Sequence, residues 1–412
     1  MVPSGWVRHL GSDITTKITK GSSPKWQGFD YQSEGTLFVT SENVRDGFLD
    51  VSKPKYLPLE FNQKLKNSQL QQGDILINIV GASIGRSCQY DLSEQQANIN
   101  QAVCLFRTNE LAESDFIQQY LQLPSTINRL LGTQSESARP NLSLSDMRDF
   151  LFALPPLPEQ RKIAKILSTW DKAITTTEKL IETSKQQKKA LMQQLLTGKK
   201  RLVNPETGKA FEGEWEEVKI STLITKHSEK TETNKQYPVL TSSRKGIYFQ
   251  SDYYNDRDVA SEDTTGYNVV PRGYFTYRHM SDDLVFKFNR NTICDKGIVS
   301  TLYPVFAAKE EAVVPYLLQA ILNEGSAFKR FSLSQKQGGS RTYMYLSKLN
   351  ELKIQIPSLT EQQKITSALT AADKEIEVLE AKLAHFKQEK KALMQQLLTG
   401  KRRVKVDEEV AA

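Results

Sequence analysis

The chain has 412 residues, 38% of them hydrophobic and 25% charged, with a formal net charge of +7. That length suits two or three domains, and the balance excludes a disordered or fibrous chain. No apolar run approaches the ~20 residues that span a bilayer, and Met1–Trp6 has no apolar leader, so the expected compartment is the cytoplasm and no membrane partner is expected.

The first region, 1–153, reads as mixed α and β. Gly21-Ser22-Ser23-Pro24 marks an exposed loop, Asp74–Val80 beside Gly73 a strand, and Phe116–Leu123 a short helix. Gly81-Ala82-Ser83-Ile84-Gly85 opens no evident nucleotide-binding helix and reads as a tight turn. At 154–201 the pattern changes. After the rigid entry Leu154-Pro155-Pro156-Leu157, Pro158 suits a first helical turn. Ile163, Leu167, Trp170, Ile174, Thr177, Ile181, Ser184, Lys188, Leu191 and Leu195 then alternate steps of four and three, the seam of a coiled coil. Gly198 sits where a C-terminal stop is expected. The second region, 202–355, is again α+β, with a strand-like run at Val269–Arg278, a short helix at Pro315–Leu322 and a loop at Lys336–Ser340. Residues 356–403 repeat the helical pattern, with Thr360 as the expected N-cap and Gly400 as the stop, and 404–412 form a tail.

An internal duplication explains this alternation. Lys188–Lys199 and Lys390–Lys401 both read KKALMQQLLTGK, an offset of 202. Without a gap, the same offset aligns Leu154-Pro155 with Ile356-Pro357, Glu159-Gln160 with Glu361-Gln362, and Asp171-Lys172 with Asp373-Lys374. The second seam is Ile365, Leu369, Ala372, Ile376, Leu379, Leu383, Phe386, Lys390, Leu393 and Leu397. One such stripe cannot be buried alone; two can pair. The expected architecture is therefore two α+β heads separated by two long antiparallel coiled-coil helices with pseudo-two-fold symmetry. Thr177, Ser184, Lys188 and Lys390 interrupt the seam, and read equally as register-setting residues or as a solvent-facing stretch. Fainter echoes run through the heads, with Trp6 against Trp215 and Leu144-Ser145 against Leu346-Ser347.

A net positive chain suggests a polyanionic partner, but the charge is unevenly placed. Residues 159–201 carry net +7 and residues 361–403 net +3, so the rest of the chain carries −3. Any nucleic-acid contact by the heads must rest on local patches. The candidates are Lys20, Lys25, Arg45, Arg86 and Arg139 in the first region, and Arg244, Lys245, Arg278, Lys336 and Arg341, set among tyrosines, in the second. The clusters Lys188-Lys189 and Lys199–Arg201 suit DNA phosphates, an acidic partner or a solvated face equally.

Chemistry is missing. Cys88, Cys104 and Cys294 form no CxxC pair and the four histidines are scattered, so neither disulfide nor metal site is expected. There is no GxxxxGK[ST] phosphate loop, no Asn/Asp-Pro-Pro-aromatic methyltransferase signature and no carboxylate–lysine nuclease cluster. No catalytic residue is therefore named. Two rivals remain: an unrecognised methyltransferase or nuclease, active alone, and a protein-binding scaffold, which would confer no DNA preference.

The arrangement resembles the specificity subunit of type I restriction–modification systems over essentially the whole chain. The residues that carry the likeness are Pro156-Leu157-Pro158-Glu159-Gln160, Lys162-Ile163 and Leu191–Lys199, with second copies at Leu359-Thr360-Glu361-Gln362 and Leu393–Lys401. Gly73-Asp74-Ile75-Leu76-Ile77, Gly81 and Gly85-Arg86 are similar to the family's target-recognition domain, and Gly21–Pro24 to its early loop. The resemblance implies two target-recognition domains, each reading half of a split site in double-stranded DNA. It implies assembly, through the helices, with two adenine-N6 methyltransferase subunits carrying S-adenosylmethionine and two restriction subunits using ATP and Mg, and no cofactor in this chain. The second region has Gly273-Tyr274-Phe275-Thr276 where the first has Gly-Asp-Ile-Leu, so the two half-sites are expected to differ.

Overall fold

The computed structural model describes residues 3–93, 95–132, 141–255, 260–336 and 341–406. The chain forms two compact units, one of residues 1–179 and 381–412, the other of Leu180–Glu380. The long helices, Leu157–Leu195 and Leu359–Leu397, have 39 residues each, and both run from one unit into the other. Each unit therefore holds one head and part of both helices.

In the first unit the chain enters on Val7–Leu10, which pairs antiparallel with Leu151–Leu154, the strand leading into the first long helix. Between them lies an antiparallel sheet of Thr15–Lys20, Val103–Thr108, Ile75–Asn78 and Ser87–Gln89, in that order. The expected strand at 74–80 is its fully buried third member. A second sheet joins Tyr56–Leu57, Thr36–Val39 and Ala97–Ile99, the last pair parallel. The glycine turn after Ile75–Asn78 closes with a bond from the Gly85 amide to the Asn78 carbonyl (2.8 Å), both Gly81 and Gly85 having positive φ. The short helices Ser114–Leu121, Pro124–Gly132 and Leu144–Asp149 follow, the last held by a capping box of Ser143 and Asp146.

The second unit repeats this plan. Glu216–Lys219 pairs with Lys353–Ile356, the strand leading into the second long helix. Its sheet has the order Ile224–His227, Val305–Ala308, Phe275–Thr276, Asn289–Arg290. The run at 269–278 is not one strand. Gly273 (φ +88°) breaks it into Asn268–Pro271 and Phe275–Thr276, which belong to different sheets. Helices Pro315–Glu324 and Ser326–Ser334 follow, the first with proline in its opening turn.

Within each unit the two helix segments run antiparallel and share the head's core. Ile163 and Leu167 are fully buried with Met394, Leu397 and Leu398 beneath the first head, and Leu195, Ile365 and Leu369 do the same in the second. Ile181 and Ile376 are also buried, while Trp170, Ile174, Leu191, Leu379, Leu383, Phe386 and Leu393 are half-buried, Trp170 standing edge-on to Phe386 at 5.6 Å. Burying an aliphatic side chain of this kind contributes about 1.5–3 kcal/mol. Thr360 lies inside the second long helix, not at its N-cap; Ser358 takes that role, accepting the Glu361 amide at 3.4 Å. The helix starts two residues earlier than the threonine suggested, at Leu359, level with Leu157 in the first copy. Gly198 and Gly400 end the helices in the left-handed region (φ +67° and +68°). A side chain at Gly400 would lie 2.4 Å from Pro3 and 3.1 Å from the Trp6 ring, whereas one at Gly198 would meet the Trp215 ring at an ordinary 3.5 Å.

Candidate nucleic-acid interface

Paired carboxylates hold each head to its helices. Glu159 is almost wholly buried and takes a bidentate bond from Arg403 (2.6 and 2.7 Å); Glu361 takes one from Arg201 at the same two distances. Asp171 accepts from Lys390 (2.6 Å) and from the head residue Gln119 (2.7 Å). Asp373 accepts from Lys188 and from the hydroxyl of the head residue Tyr316, whose phenol is pushed up by burial and by that carboxylate. Glu178–Lys387 and Glu380–Lys185 complete the series. Adding 202 to each carboxylate of the first unit and subtracting it from each base gives the pairs of the second. The polar seam residues Lys188 and Lys390 thus set register. Neither Lys188 nor Arg201 is free for DNA phosphates.

The glutamines of the Glu-Gln motif have a separate task. The Gln160 amide donates to the carbonyls of Leu111 and Pro155 and accepts the Glu113 amide; Gln362 does the same with Ala312, Pro357 and Val314. Each staples a head loop to the start of a long helix.

On this frame the first head presents two basic clusters. Lys20, at the end of Thr15–Lys20, lines one groove together with Gly21, Ser22, Lys64 and Lys66. Lys25 stands on the 3-10 turn Lys25–Gln27, tied to this groove by a bond from Lys64 to the Gln27 carbonyl (3.2 Å). Among the described residues, none of Lys20, Lys25, Lys64 and Lys66 is ion-paired with a carboxylate. Lys17, on the same strand, has its ammonium pKa lowered by burial and then by Arg107. The second cluster is Arg45 and Arg86, brought together by a turn whose Gly47 amide bonds the Ser87 carbonyl (2.9 Å) and tethered to Asp50 (3.4 Å) and Asp46 (3.8 Å) respectively. Arg139 lies outside the described residues.

The second head gathers its candidates around one cleft. Arg244 and Arg278 line it with Tyr253, Tyr254 and Tyr303. Lys245 follows Arg244 in the turn between Leu240–Ser243 and Gly246–Phe249. Arg341 joins through Asp282 (3.0 Å), beside the pairing of Met280–Ser281 with Thr342–Tyr343. Asp283 holds Arg244 at 2.6 Å, and that guanidinium, then the Ser281 hydroxyl, keeps the carboxyl below its ordinary range. Tyr343 and Tyr345 lie parallel at 5.9 Å, with Tyr345 stacked on His279 at 4.9 Å, and both tyrosines are exposed. Lys336 is exposed at the end of the described stretch after Ser326–Ser334. Lys17, Lys64 and Lys66 escaped sequence reasoning because they reach these grooves only through the sheet and its connections.

Among the described residues no catalytic centre is assembled alongside. Burial pushes the Cys88 and Cys104 thiols up to about 12, so neither is a nucleophile near neutrality. Among the described residues no cluster of His, Cys, Asp or Glu could hold a metal ion, and no helix is long and apolar enough to cross a membrane.

The family model described as the type I restriction modification DNA specificity domain matches residues 28–185 and again 212–388. The chain belongs to that family. As a DNA-specificity component it recognises DNA and has no catalytic activity itself. The specificity subunit of the type I restriction enzyme MjaVIII of Methanocaldococcus jannaschii is 26% identical over 98% of this chain and 94% of its own length. That of EcoKI from Escherichia coli is 23% identical over 61% of this chain and 56% of its own. Among solved structures, the type I restriction–modification S subunit from M. genitalium matches with a TM-score of 0.57 and 14% identity over 96% of this chain and 99% of that one. A chain from a study of complex assembly in a type I system gives 0.54 and 15% over 97% and 98%. These two show that the specificity subunit shares their fold.

Proposed function

We propose that this subunit reads a split, adenine-containing DNA target, one half per head. In this reading two methyltransferase subunits carrying S-adenosylmethionine methylate the site, and two restriction subunits using ATP and Mg join for cleavage, all in the cytoplasm. The helices that run from unit to unit set the unread interval.

The observation that carries the reading is where the duplication is best preserved. Lys189, Ala190, Gln193, Gln194 and Lys199 are exposed, and so are their identical counterparts Lys391, Ala392, Gln395, Gln396 and Lys401. Four of the ten seam positions of the same helices differ, as in Trp170 against Ala372 and Ser184 against Phe386. Packing preserves buried residues; exposed identity is what two copies of one partner require. The relatives' names, all of specificity subunits of multi-component enzymes, support the same view.

The test is methylome sequencing of a host with and without the chain. A split adenine motif should vanish on deletion, and replacing residues 1–150 with another such head should change one half of it. Adding seven residues to each long helix lengthens it by ~10 Å, about 3 base pairs at 3.4 Å each; the spacer should grow while both halves stay. Loss of the chain without loss of any motif overturns the proposal.

A further inference from the structure

Trp26 is 79% exposed, whereas Trp6 is buried and Trp170 and Trp215 are half-buried against other side chains. An indole carries roughly 150–250 Å² of mostly apolar surface, so leaving it in water is costly unless something covers it. Nor is it on a loose loop. Pro24 (φ −60°) precedes its 3-10 turn and Gly28 (φ +82°) closes it, donating to the Lys25 carbonyl at 3.2 Å. The Gln27 amide donates to the Ser22 hydroxyl at 3.1 Å. Phe29 anchors the turn from below, edge-on to Phe61 at 5.4 Å, with the Lys64 ammonium over its ring. The fold therefore holds the indole out into solvent.

Its surroundings identify the cover. Lys25 is adjacent, and Lys20, Lys64 and Lys66 line the neighbouring groove without carboxylate partners. A second groove shares Asn67 and adds Lys17 and Arg148. Four uncompensated ammonium groups beside an exposed indole suit a ligand with regularly spaced phosphates and flat heterocycles, not an apolar protein face.

We infer that the groove at Lys20, Lys64 and Lys66 is a DNA-backbone seat of the first head, and that Trp26 packs against the sugar–base edge of the duplex held there. This rests on the proposed reading of a split target, and it adds a location and a specificity-determining residue. The lysines supply sequence-independent phosphate contacts. The indole, with a single N–H donor, reads no base pattern and discriminates by how well the local groove shape and deformability let it seat against that edge.

The experiment uses the full chain assembled with its methyltransferase, and a duplex carrying the motif found in the methylome. A benzophenone photo-crosslinker at position 26 should capture a DNA strand in the half read by residues 1–153. Trp26→Ala should weaken binding about tenfold, the scale of losing one aromatic contact to a base, and relax methylation in that half alone. Trp26→Phe should restore most of it. Lys64→Ala and Lys66→Ala should each lower the salt slope of binding by about 1. Thermal melting should be unchanged in Trp26→Ala, Trp26→Phe and Lys66→Ala, whose altered side chains are exposed, and slightly lowered in Lys64→Ala, which also loses its bond to the Gln27 carbonyl. Crosslinking to the methyltransferase polypeptide, or Trp26→Ala binding within twofold of the parent, overturns the inference and leaves the split-target reading intact. A complex that prefers no sequence at all overturns both.

Discussion

The two heads stand on the same scaffold and present different chemistry. Both hold arginines tethered to aspartates, Arg45 and Arg86 in the first and Arg244 and Arg341 in the second, but the first adds lysines without carboxylate partners and an exposed tryptophan, and the second sets its arginines beside exposed tyrosines. An ammonium is a point charge suited to phosphate, whereas a guanidinium fork matches the O6/N7 edge of guanine. Exposed Arg–Asp pairs are worth only about 0–1 kcal/mol, so Asp282 and Asp283 can pre-orient Arg341 and Arg244 and still yield to DNA. The comparison teaches that duplication preserved what grips the helices, Glu159, Gln160 and Asp171 against Glu361, Gln362 and Asp373, and released what the heads themselves present. A shared frame therefore does not imply a shared half-site.

The frame should break first. Arg201→Ala leaves Glu361 buried and unpaired, with an expected loss of about 3–5 kcal/mol. Arg403→Ala should cost less, because its side chain is 43% exposed against 22% for Arg201. Calorimetric melting of both variants compares the two locks, and equal losses would contradict the burial difference. Truncating the seam under each head, Leu167→Ala and Leu369→Ala, should cost about 2–5 kcal/mol each and by similar amounts, since both side chains are fully buried.

The heads should separate next. Arg278→Ala or Arg341→Ala should remove about 1–3 kcal/mol of discrimination, read as methylation at near-cognate sites altered in the second half only. An effect spread over both halves would contradict independent readers. Lys20→Ala should instead weaken all sequences alike and reduce the salt slope by about 1.

The smallest effect concerns the tethers. Asp283→Asn should raise DNA affinity a few-fold by freeing Arg244. Asp283 has its folded pKa depressed, so its contribution is present above the ordinary carboxylate range near 3.9 and is lost only as pH falls through the lower folded value. Titrating binding from pH 8 to 5 should therefore leave the tether intact. A change in the affinity difference between parent and Asp283→Asn within that window would argue against the pairing.

Much of the frame was legible without coordinates. The offset of 202, the two heptad seams and the closing glycines are written in short-range spacing, which helical geometry converts directly into a buried stripe. So was the absence of a catalytic signature. The candidate site was legible only in part. Arg244, Arg278 and Arg341 could be named as basic residues among tyrosines, but the aspartates that hold two of them could not. Lys20 and Lys25 were visible while Lys64, Lys66 and Trp26 were not.

What the amino-acid order determined by itself is periodic and local: two long helices, two α+β regions, and a repeated surface. What only the tertiary structure decided is who meets whom across distance. Arg403 reaches Glu159 across 244 positions and Lys188 reaches Asp373 across 185. Such pairs depend on the path of the whole chain, because a charge carries no periodic mark of its partner, and the same path decides that one tryptophan is buried and another left in water.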